Sequence, residues 1–402
     1  MITLFWVALG LLVYGYAGFP VLVAVVGRLL GRGVRKDPIT PSVSVIVAAH
    51  NEAEGIADRL RNVLSSDYPT ESLQVIVASD GSTDETARIA WAFDRERVVV
   101  LDLPRMGKAA ALAEAVVHAR GEILVFTDAN TVFRSDAVAA LVRNFADPEV
   151  GGVAGHTGYA LRAEGESAGR GEDLYWRYDT WIKSLESKAG SVVSAHGGMY
   201  AVRRELFRPV EDPAVTDDFA ISTGVVVQGR RLVFEAEAIG HELTMSRSAV
   251  EFHRRVRLMT RGLHGVLLRR QLLNPLRYGF YSVALFSHKV LRRLLPLVSA
   301  ALLVSSVALT LTGGGALYGL AAAALAVFLA LAVTGWLLRG SPLGRHPALY
   351  APFFYCLANL AAVLALWNVL RGNRIERWTP HRHVEPAQGA GRRRAAPREA
   401  TG

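Results

Sequence analysis

Three long uncharged segments, one at the start of the chain and two near its end, constrain its fold more than any other feature. Residues 2–27 include 26 consecutive positions without a charge, residues 294–338 include 45, and residues 347–370 include 24. A helix crosses the hydrocarbon core of a bilayer with about 20 apolar residues. The first and third segments therefore each predict one membrane span, and the second predicts two spans joined at Gly313–Gly315.

The charges beside these segments predict how the chain is oriented. Residues 1–28 have no basic N-terminal region and no small-residue cleavage site, so they predict an uncleaved anchor. Four basic residues follow it at once: Arg28, Arg32, Arg35 and Lys36. Basic flanks favour the cytoplasmic side, yet three later spans would put the tail outside, although residues 371–402 hold eight Arg against three Glu. The open alternatives are a re-entrant late segment, a further crossing that includes 276–293, and a chain that does not follow the rule.

The composition fits a chain that is partly embedded in a membrane and partly soluble. Charged residues make up 20% of the sequence, below the share of about 25% in soluble proteins. The single cysteine, Cys356, excludes an intrachain disulfide and is expected to be a small buried hydrophobic residue. The basic tail has little aromatic interleaving and no signature of a nucleic-acid module. We therefore expect it beside anionic lipid, and we expect no nucleic-acid partner.

The segment between the apolar regions predicts a doubly wound α/β domain. Continuous β-rich runs stand at 43–49, 74–79, 97–101 and 122–127, with helical patterns near 53–65, 83–93, 108–119 and 135–146. Such runs suit parallel strands buried on both faces, and their alternation with helices indicates an α/β fold. The expected parts of the chain are an anchor at 1–28, this domain at 41–262, interfacial amphipathic helices at 263–293, membrane helices at 294–370 and a basic tail at 371–402.

Polar side chains follow three of the predicted strands. They are Asn51 and Glu52, then Asp80, then Asp128 and Asn130. Ligands of doubly wound sheets bind beyond the carboxyl ends of the strands, and the last two side chains offer the oxygen ligands that Mg²⁺ or Mn²⁺ prefers beside phosphates. Each turn alone also fits ordinary helix capping, with Ser82 and Glu85 as a capping box in the second turn.

Further polar groups recur along the domain. They are Lys108 before an Ala-rich helix, the turn His196-Gly197-Gly198, the adjacent Asp217 and Asp218, and the group Arg254, Arg255, Arg257 and Arg261. The lysine is either a phosphate ligand at a helix N-terminus or a solvated side chain. The arginines are either a clamp on a diphosphate or a basic helix on anionic lipid. The two aspartates are either a catalytic pair, one acting as general base, or a plain helix N-terminus. There is no P-loop and no well-placed G-x-G-x-x-G, which disfavours a kinase, an ATPase or a Rossmann dehydrogenase.

Taken in order, these motifs resemble an inverting family 2 glycosyltransferase with the GT-A fold. The similar members are membrane-embedded synthases of cellulose, hyaluronan, chitin and poly-N-acetylglucosamine. The matching segments are A-A-H-N-E, D-G-S-T-D, T-D-A-N, H-G-G-M-Y-A-V-R-R, T-D-D and R-R-x-R. The late segment Arg377-Trp-Thr-Pro-His-Arg also resembles family C-termini. The resemblance covers 41–262 by motif and most of the rest by hydrophobic layout.

The resemblance implies transfer of a sugar from a nucleotide donor, with UDP expected. The implied donor-binding residues are Asn51, Glu52, Asp80, Lys108, Asp128, Arg254, Arg255 and Arg257, and the implied acceptor-binding residues are His196, Gly197, Gly198 and Tyr200. Asp128 and Asn130 would hold Mg²⁺ or Mn²⁺. Asp218 would take the proton from the acceptor hydroxyl, with Asp217 beside it, and the transfer would invert the anomeric configuration. Trp176 and Trp181 either stack on sugar rings or anchor the chain at the membrane interface.

Two departures from the family pattern leave the product open. Processive members carry Q-x-x-R-W where this chain has Arg254-Arg255-Val256-Arg257-Leu258, and three or four late helices are few for a polymer channel without an export partner or a second copy. We expect an inner-membrane enzyme of polysaccharide or glycolipid assembly. The alternative adds a single sugar to a lipid or polyprenyl phosphate. A catalytically inactive scaffold is disfavoured because Asp80, Asp128 and Asp218 are all retained.

Overall fold

The structure is a computed structural model that describes residues 1–159, 167–242 and 248–375. The chain begins with one continuous apolar helix, formed by α1 (Ile2–Val13), a π-helical turn (Tyr14–Gly18) and α2 (Phe19–Leu29). No charged side chain interrupts it before Arg28. The predicted N-terminal anchor therefore corresponds to a single long helix.

The central domain is built on one eight-stranded mixed sheet. Its strands are β1 (Val43–Ala49), β2 (Leu73–Asp80), β3 (Val98–Leu103), β4 (Ile123–Asp128), β5 (Thr131–Phe133), β6 (Val150–Tyr159), β7 (Tyr200–Arg203) and β8 (Arg231–Glu242). Their order across the sheet is β3-β2-β1-β4-β7-β6-β8-β5. The pairs among β3, β2, β1 and β4 are parallel, whereas β7 is antiparallel to both of its neighbours.

Helices cover both faces of this sheet. They are α3 (Ile56–Leu64), α4 (Thr86–Ala90), α5 (Lys108–Val117), α6 (Ala137–Val142), α7 (Ser167–Ala189) and α8 (Asp217–Val227), whereas the next helix, α9 (Ser248–Leu268), packs against α8 and the last apolar helix. On β1, Ile46 and Ala48 belong to the core on one face, and Val45 and Val47 belong to the core on the other. Because every residue of β1 is buried, its sequence is a continuous apolar run, as expected for an inner parallel strand.

The register of the parallel strands brings the predicted polar turns to one edge of the sheet. Ala49, at the end of β1, pairs with Ser79 of β2, and Ala48 pairs with Asp128 of β4. Asp80 is the last residue of β2 and Asp128 the last of β4. The three turns that the sequence singled out therefore open side by side.

The sequence located the parallel half of the domain and missed the antiparallel half. The four predicted strands and the four predicted helices all occur, with ends displaced by a few residues. The capping-box prediction is wrong, because α4 begins only at Thr86 and its first turn is capped by Asp84, whose Oδ1 accepts from Thr86 N at 3.0 Å. Ser82 Oγ instead accepts from Asn51 N at 3.1 Å.

The rest of the described chain is helical. After the short α10 (Pro275–Tyr278) come α11 (Phe280–Leu285), a π-helical turn (Phe286–Leu291), α12 (Arg292–Leu311), α13 (Ala316–Leu337) and α14 (Pro347–Leu370). Among the described residues, four helices are long and apolar enough to cross a membrane: Ile2–Leu29, Phe280–Leu311, Ala316–Leu337 and Pro347–Leu370. The second of these starts well before residue 294, so part of the expected interfacial segment is continuous with a span.

Candidate functional site

A buried lysine lies at the centre of the carboxyl edge of the sheet. Lys108, the first residue of α5, places Nζ 2.7 Å from Asp128 Oδ1 and 3.0 Å from Asp217 Oδ2. Burial opposes the ammonium charge, but these two carboxylates outweigh it and raise the pKa of Lys108. The expectation of a solvated lysine is therefore wrong, because the side chain links residues that are far apart in the sequence.

The two adjacent aspartates occupy the first turn of α8. Thr216 is the residue before the helix, which starts at Asp217. Burial raises the pKa of Asp217, and Asp218 beside it acts in the same direction. Burial also opposes the charge of Asp218, but His196, the Thr216 hydroxyl and Lys108 together lower its pKa. Asp218 is thus kept ionised, which is the state that a general base needs.

A glycine lies between the carboxylates. A Cβ on Gly197 would lie 3.6 Å from Lys108 Nζ and 3.7 Å from both Asp128 Oδ2 and Asp218 Oδ2. Because glycine has no Cβ, the space between these charged groups stays open. Asp128 and Asp218 therefore border one open cleft at this edge of the sheet.

His196 and Gly198 flank that glycine. His196 Nδ1 lies 3.0 Å from Thr157 Oγ1 and 3.4 Å from Glu242 Oε1. A Cβ on Gly198 would lie 3.0 Å from Glu242 Oε1, so the backbone passes very close to the end of β8. The glycine turn is held against β6 and β8, with its open side towards the carboxylates.

Asp80 stabilises the loop that leads to Lys108. Its Oδ1 accepts from Met106 N at 2.7 Å and from Gly107 N at 2.9 Å, and its Oδ2 lies 2.5 Å from Arg105 Nη1. The carboxylate is almost fully buried. In this structure Asp80 therefore fixes the backbone immediately before Lys108, and contact with a donor remains a prediction.

Asn51 and Glu52 join the first turn to the second. Asn51 has a φ of 54°, in the left-handed region that asparagine tolerates better than most residues. Its Oδ1 accepts from Thr83 N at 2.8 Å, and Glu52 N donates to Thr86 Oγ1 at 2.8 Å. The helix after this turn starts at Ile56 with Gly55 before it, so Asn51 is not its N-cap.

The arginines of α9 divide into different roles. The Arg255 guanidinium lies 4.7 Å from the centre of the Phe354 ring in α14. In this structure it therefore packs on an aromatic ring, and not at the expected position beside the diphosphate. Arg254 Nη2 lies 3.7 Å from Glu242 Oε2. Arg261 Nη2 donates to Val215 O at 2.7 Å and so holds the loop before Asp217.

Arg257 remains the best candidate for an anion clamp. Burial lowers its pKa, and the charges of Arg261 and Arg254 lower it further. A bound anion would stabilise a guanidinium charge that burial and like charges oppose, and the planar guanidinium matches the geometry of phosphate. Its proposed contact with a leaving diphosphate is therefore retained, and that of Arg255 is not.

Tyr200 does not border the cleft as expected. Its side chain is fully buried, and its ring stacks on Phe126 with 5.0 Å between the ring centroids. Burial, with the charges of Asp217, Asp218 and Asp128, raises its pKa well above the usual value. Tyr200 therefore packs in the core beneath the site, because its position on β7 directs the side chain into the interior of the domain.

The two tryptophans and the late motif are only partly described. Trp181 is 48% exposed on α7, and its ring centroid lies 6.1 Å from that of Tyr178. The side chain of Trp176 and the segment Arg377–Arg382 lie outside the described residues. Since α7 packs against α2, the location of Trp181 favours a membrane-interface anchor over a sugar-stacking residue.

Sequence reasoning missed a buried arginine behind the metal candidate. Arg59 of α3 donates through Nη2 to Thr127 Oγ1 at 2.8 Å, and its guanidinium lies 4.0 Å from the Phe133 ring centroid. Burial lowers its pKa to about 9, although Asp128 opposes that shift. An arginine at an apolar helix position was the available signal, since the helix face around it is otherwise buried.

Asp128 is suited to hold a divalent cation. Its Oδ1 is buried and pairs with Lys108, whereas the space beside its Oδ2 is left open by Gly197. Asn130 is half-buried two residues further on. No group of three or more His, Cys, Asp or Glu side chains that could hold a metal occurs among the described residues. This donor set fits Mg²⁺ or Mn²⁺, which take most of their remaining ligands from phosphates and water.

A family match covers this part of the chain. Residues 44–210 match the family described as Glycosyl transferase family 2. This segment of the chain is similar to family 2 glycosyltransferases, and the matched range contains Asp80, Lys108, Asp128 and the glycine turn.

Curated relatives and a solved structure agree with this family. The poly-beta-1,6-N-acetyl-D-glucosamine synthases of Staphylococcus epidermidis and of Staphylococcus aureus strain COL are both 29% identical to the chain, over 235 and 234 residues. Each alignment covers 56% of this chain and 56% of the relative, so the chain spans about half the length of the curated relatives it matches.

The likeness to one solved structure extends over nearly the whole chain. The mannosyltransferase PcManGT from Pyrobaculum calidifontis, in complex with GDP-Man and Mn²⁺, matches with a TM-score of 0.69 and 25% identity. The match covers 92% of this chain and 100% of that chain. It confirms the expected GT-A glycosyltransferase fold flanked by apolar helices.

Proposed function

We propose that the chain transfers a glycosyl group from a nucleotide sugar to a hydroxyl of a membrane-associated acceptor, with inversion. The observation that carries the proposal is the convergence of Asp128, Lys108, Asp217 and Asp218 around Gly197. Carboxylates that converge around an open space suit a reaction that needs both a cation and a base. The cytoplasmic face of an inner membrane is the proposed location.

Donor binding is assigned to the carboxyl edge of the sheet. Asp128, with Asn130 near it, would hold Mg²⁺ or Mn²⁺, and this cation would neutralise the diphosphate. Lys108 and Arg257 add positive charge near that group, which stabilises the leaving nucleotide. Asp80, Asn51 and Glu52 shape the loops on which the nucleoside would lie.

The acceptor side is assigned to Asp218 and the glycine turn. As the acceptor oxygen attacks the anomeric carbon, the bond from that carbon to the diphosphate breaks and the hydroxyl proton passes to Asp218. Attack from the face opposite the leaving group inverts the configuration. His196 and Lys108 lower the pKa of Asp218 and so keep the base ionised, and Lys108 also pairs with the neighbouring Asp217.

Two products are compatible with this chemistry. The synthase relatives favour extension of a polysaccharide, but they match only about half of the chain. The mannosyltransferase matches almost all of it, and Leu258 stands where processive members carry Trp. These two observations favour transfer of a single sugar, and they make GDP-mannose a donor to test beside UDP-sugars.

The test uses the full chain reconstituted in lipid nanodiscs. Each labelled donor, from a panel of UDP-sugars and GDP-mannose, is incubated with membrane extract as acceptor source, with Mn²⁺ or with excess EDTA. We expect one donor class to label a lipid-extractable product, and EDTA to abolish labelling. Undiminished transfer in EDTA would contradict the metal role of Asp128, and product length separates the two alternatives.

A further inference from the structure

The turn that opens the second membrane span carries a lysine that has no part in the site described above. Phe286–Leu291 is π-helical and contains Lys289, within the apolar span Phe280–Leu311. An ionisable side chain in such a span is costly and is usually retained for function. π-helical turns within helices also occur frequently at functional sites.

Two hydrogen bonds dock this turn against the glycosyltransferase domain. Tyr281 Oη donates to Val193 O at 2.8 Å, in the segment that leads to the glycine turn. His288 Nδ1 lies 2.8 Å from Glu186 Oε1, on α7. The membrane span is thus attached to the same segment that carries the acceptor-side residues, so its position relative to Asp218 is fixed by the fold.

The acids near the turn are already neutralised. Asp179 Oδ2 lies 2.7 Å from Lys183 Nζ, and Glu186 pairs with His288. Among the described residues, no hydrogen bond or ion pair involves the Lys289 ammonium. The Lys289 amine therefore has no carboxylate in direct contact among the described residues.

The proposed base is one of the charged groups near this lysine. The charges that act on Lys289 are those of Arg293, Asp218, Lys183 and Asp179. Arg293 lies against α9, where a Cβ on Gly262 would lie 3.0 Å from its Nη2. Arg293 thus adds a second basic group to this region.

We propose that Lys289 binds the phosphate group of a lipid-linked acceptor and so places the acceptor hydroxyl beside Asp218. This inference rests on the proposed function. The donor diphosphate is assigned to Asp128 and Lys108, whereas Lys289 lies near the start of the span Phe280–Leu311, where a lipid-linked substrate would enter from the membrane. A partly buried ammonium without an anionic partner suits a phosphate, because charge-assisted hydrogen bonds are among the strongest.

The experiment measures binding, with farnesyl phosphate as the probe and farnesol as its uncharged equivalent. The full chain is placed in nanodiscs of neutral phosphatidylcholine, and affinities are measured for farnesyl phosphate, farnesol, inorganic phosphate, UDP and GDP with Mn²⁺. We expect farnesyl phosphate to bind more tightly than farnesol or inorganic phosphate. Lys289→Met should weaken it about tenfold or more, as loss of a hydrogen bond to a charged group does, while nucleotide affinity stays unchanged.

Arg292→Met is the matched control, because it removes a cation from the same region. The Arg292 guanidinium lies 5.8 Å from the Tyr178 ring centroid on α7, and we expect this variant to keep its affinity for farnesyl phosphate. Lys289→Arg should keep most of the affinity for farnesyl phosphate, and it serves as a second test if Lys289→Met does not fold. An unchanged affinity in Lys289→Met, a matching loss of nucleotide affinity, or equal competition by phosphatidylglycerol would each overturn the inference.

Failure of the proposed function has a different signature. A wild-type protein that binds no nucleotide in these nanodiscs contradicts the proposed function, whatever farnesyl phosphate does. A wild-type protein that binds a nucleotide, but whose Lys289→Met variant keeps full affinity for farnesyl phosphate, contradicts only the inference about Lys289.

Discussion

At the residue scale, the cleft depends on side chains that compensate one another's burial. Lys108 is stable inside the domain because Asp128 and Asp217 flank it, and these carboxylates need its charge in turn. The sequence identified all of these residues, because each ends a strand or begins a helix. It did not identify the pairing, because Lys108 and Asp217 are joined only by tertiary structure.

Gly197→Ala tests whether the space between these residues is used. The new Cβ would meet its neighbours at 3.6 to 3.7 Å, which is ordinary van der Waals contact. We expect the unfolding midpoint to stay close to that of the wild type, while transfer falls about a hundredfold, since a small displacement of reacting groups has this effect. Gly158→Ala is the control, because its Cβ would meet nothing within 4 Å. A variant with normal turnover would show that the substrates bind elsewhere.

The pH dependence of transfer tests the environment of Asp218. Its pKa is lowered in the folded protein, so the ionised base persists below the ordinary aspartate range and the rate falls only in strong acid. His196→Gln removes the largest influence that lowers this pKa, so the acid limb of kcat/KM should move to higher pH. Profiles measured from about pH 2.5 to pH 8, a range that includes the acid limb, decide this. Identical pH profiles for the wild type and His196→Gln would show that His196 does not lower the pKa of Asp218.

At the element scale, the end of β4 is held in place by α3. Arg59 reaches across from the helix to Thr127, whose hydroxyl lies 2.8 Å from Gly198 O, and so connects the strand before Asp128 to the glycine turn. The helix itself was predictable from its apolar spacing. The use of its arginine was not, because periodicity says which face is buried and says nothing of which polar group that face accommodates.

Arg59→Met should destabilise the domain, and Arg61→Met should not. The first change removes two buried hydrogen bonds and a cation–π contact, which predicts a loss of about 2 to 4 kcal/mol in the free energy of unfolding. Arg61 is exposed and pairs only with the exposed Asp58 among the described residues, so its loss should cost about 0.5 kcal/mol or less. Thermal unfolding of the two purified variants measures the difference. Equal midpoints would contradict the structural role given to Arg59.

At the scale of the whole molecule, the fold bears on the orientation of the tail. Arg374, just after α14, is hydrogen-bonded to Asp212 of the glycosyltransferase domain. Asn368 Nδ2 lies 3.4 Å from Thr260 Oγ1 on α9. The end of α14 therefore lies against the domain, which predicts that the start of the basic tail is on the domain's side of the membrane. This agrees with the positive-inside rule and favours the alternatives in which the late helices make an even number of crossings.

Hydropathy alone could not have predicted the side of the membrane on which the tail lies. It located apolar segments of sufficient length, but a crossing and a re-entrant helix have the same composition. The distinction depends on single polar contacts such as that of Arg374 with Asp212. The second half of the sheet could not be predicted for a similar reason. Strands β5 to β8 are short or interrupted by glycine, and they pair mainly with strands distant in sequence.

Cysteine labelling tests the orientation. In a Cys356→Ser background, Thr312→Cys lies in the exposed loop between α12 and α13, and Asn373→Cys lies in the exposed segment after α14. We expect a membrane-impermeant maleimide to label the first in intact cells and the second only after permeabilisation. Labelling of Asn373→Cys in intact cells would contradict the assigned side of the tail.

The central claim is that Asp218 removes a proton from an acceptor while the donor is held by separate residues. The most direct measurement compares wild type and Asp218→Asn, in nanodiscs with Mn²⁺, for donor affinity and for single-turnover sugar transfer. The account predicts unchanged donor affinity and a transfer rate lower by a factor of about 100 to 10,000. Transfer by Asp218→Asn at the wild-type rate would contradict it.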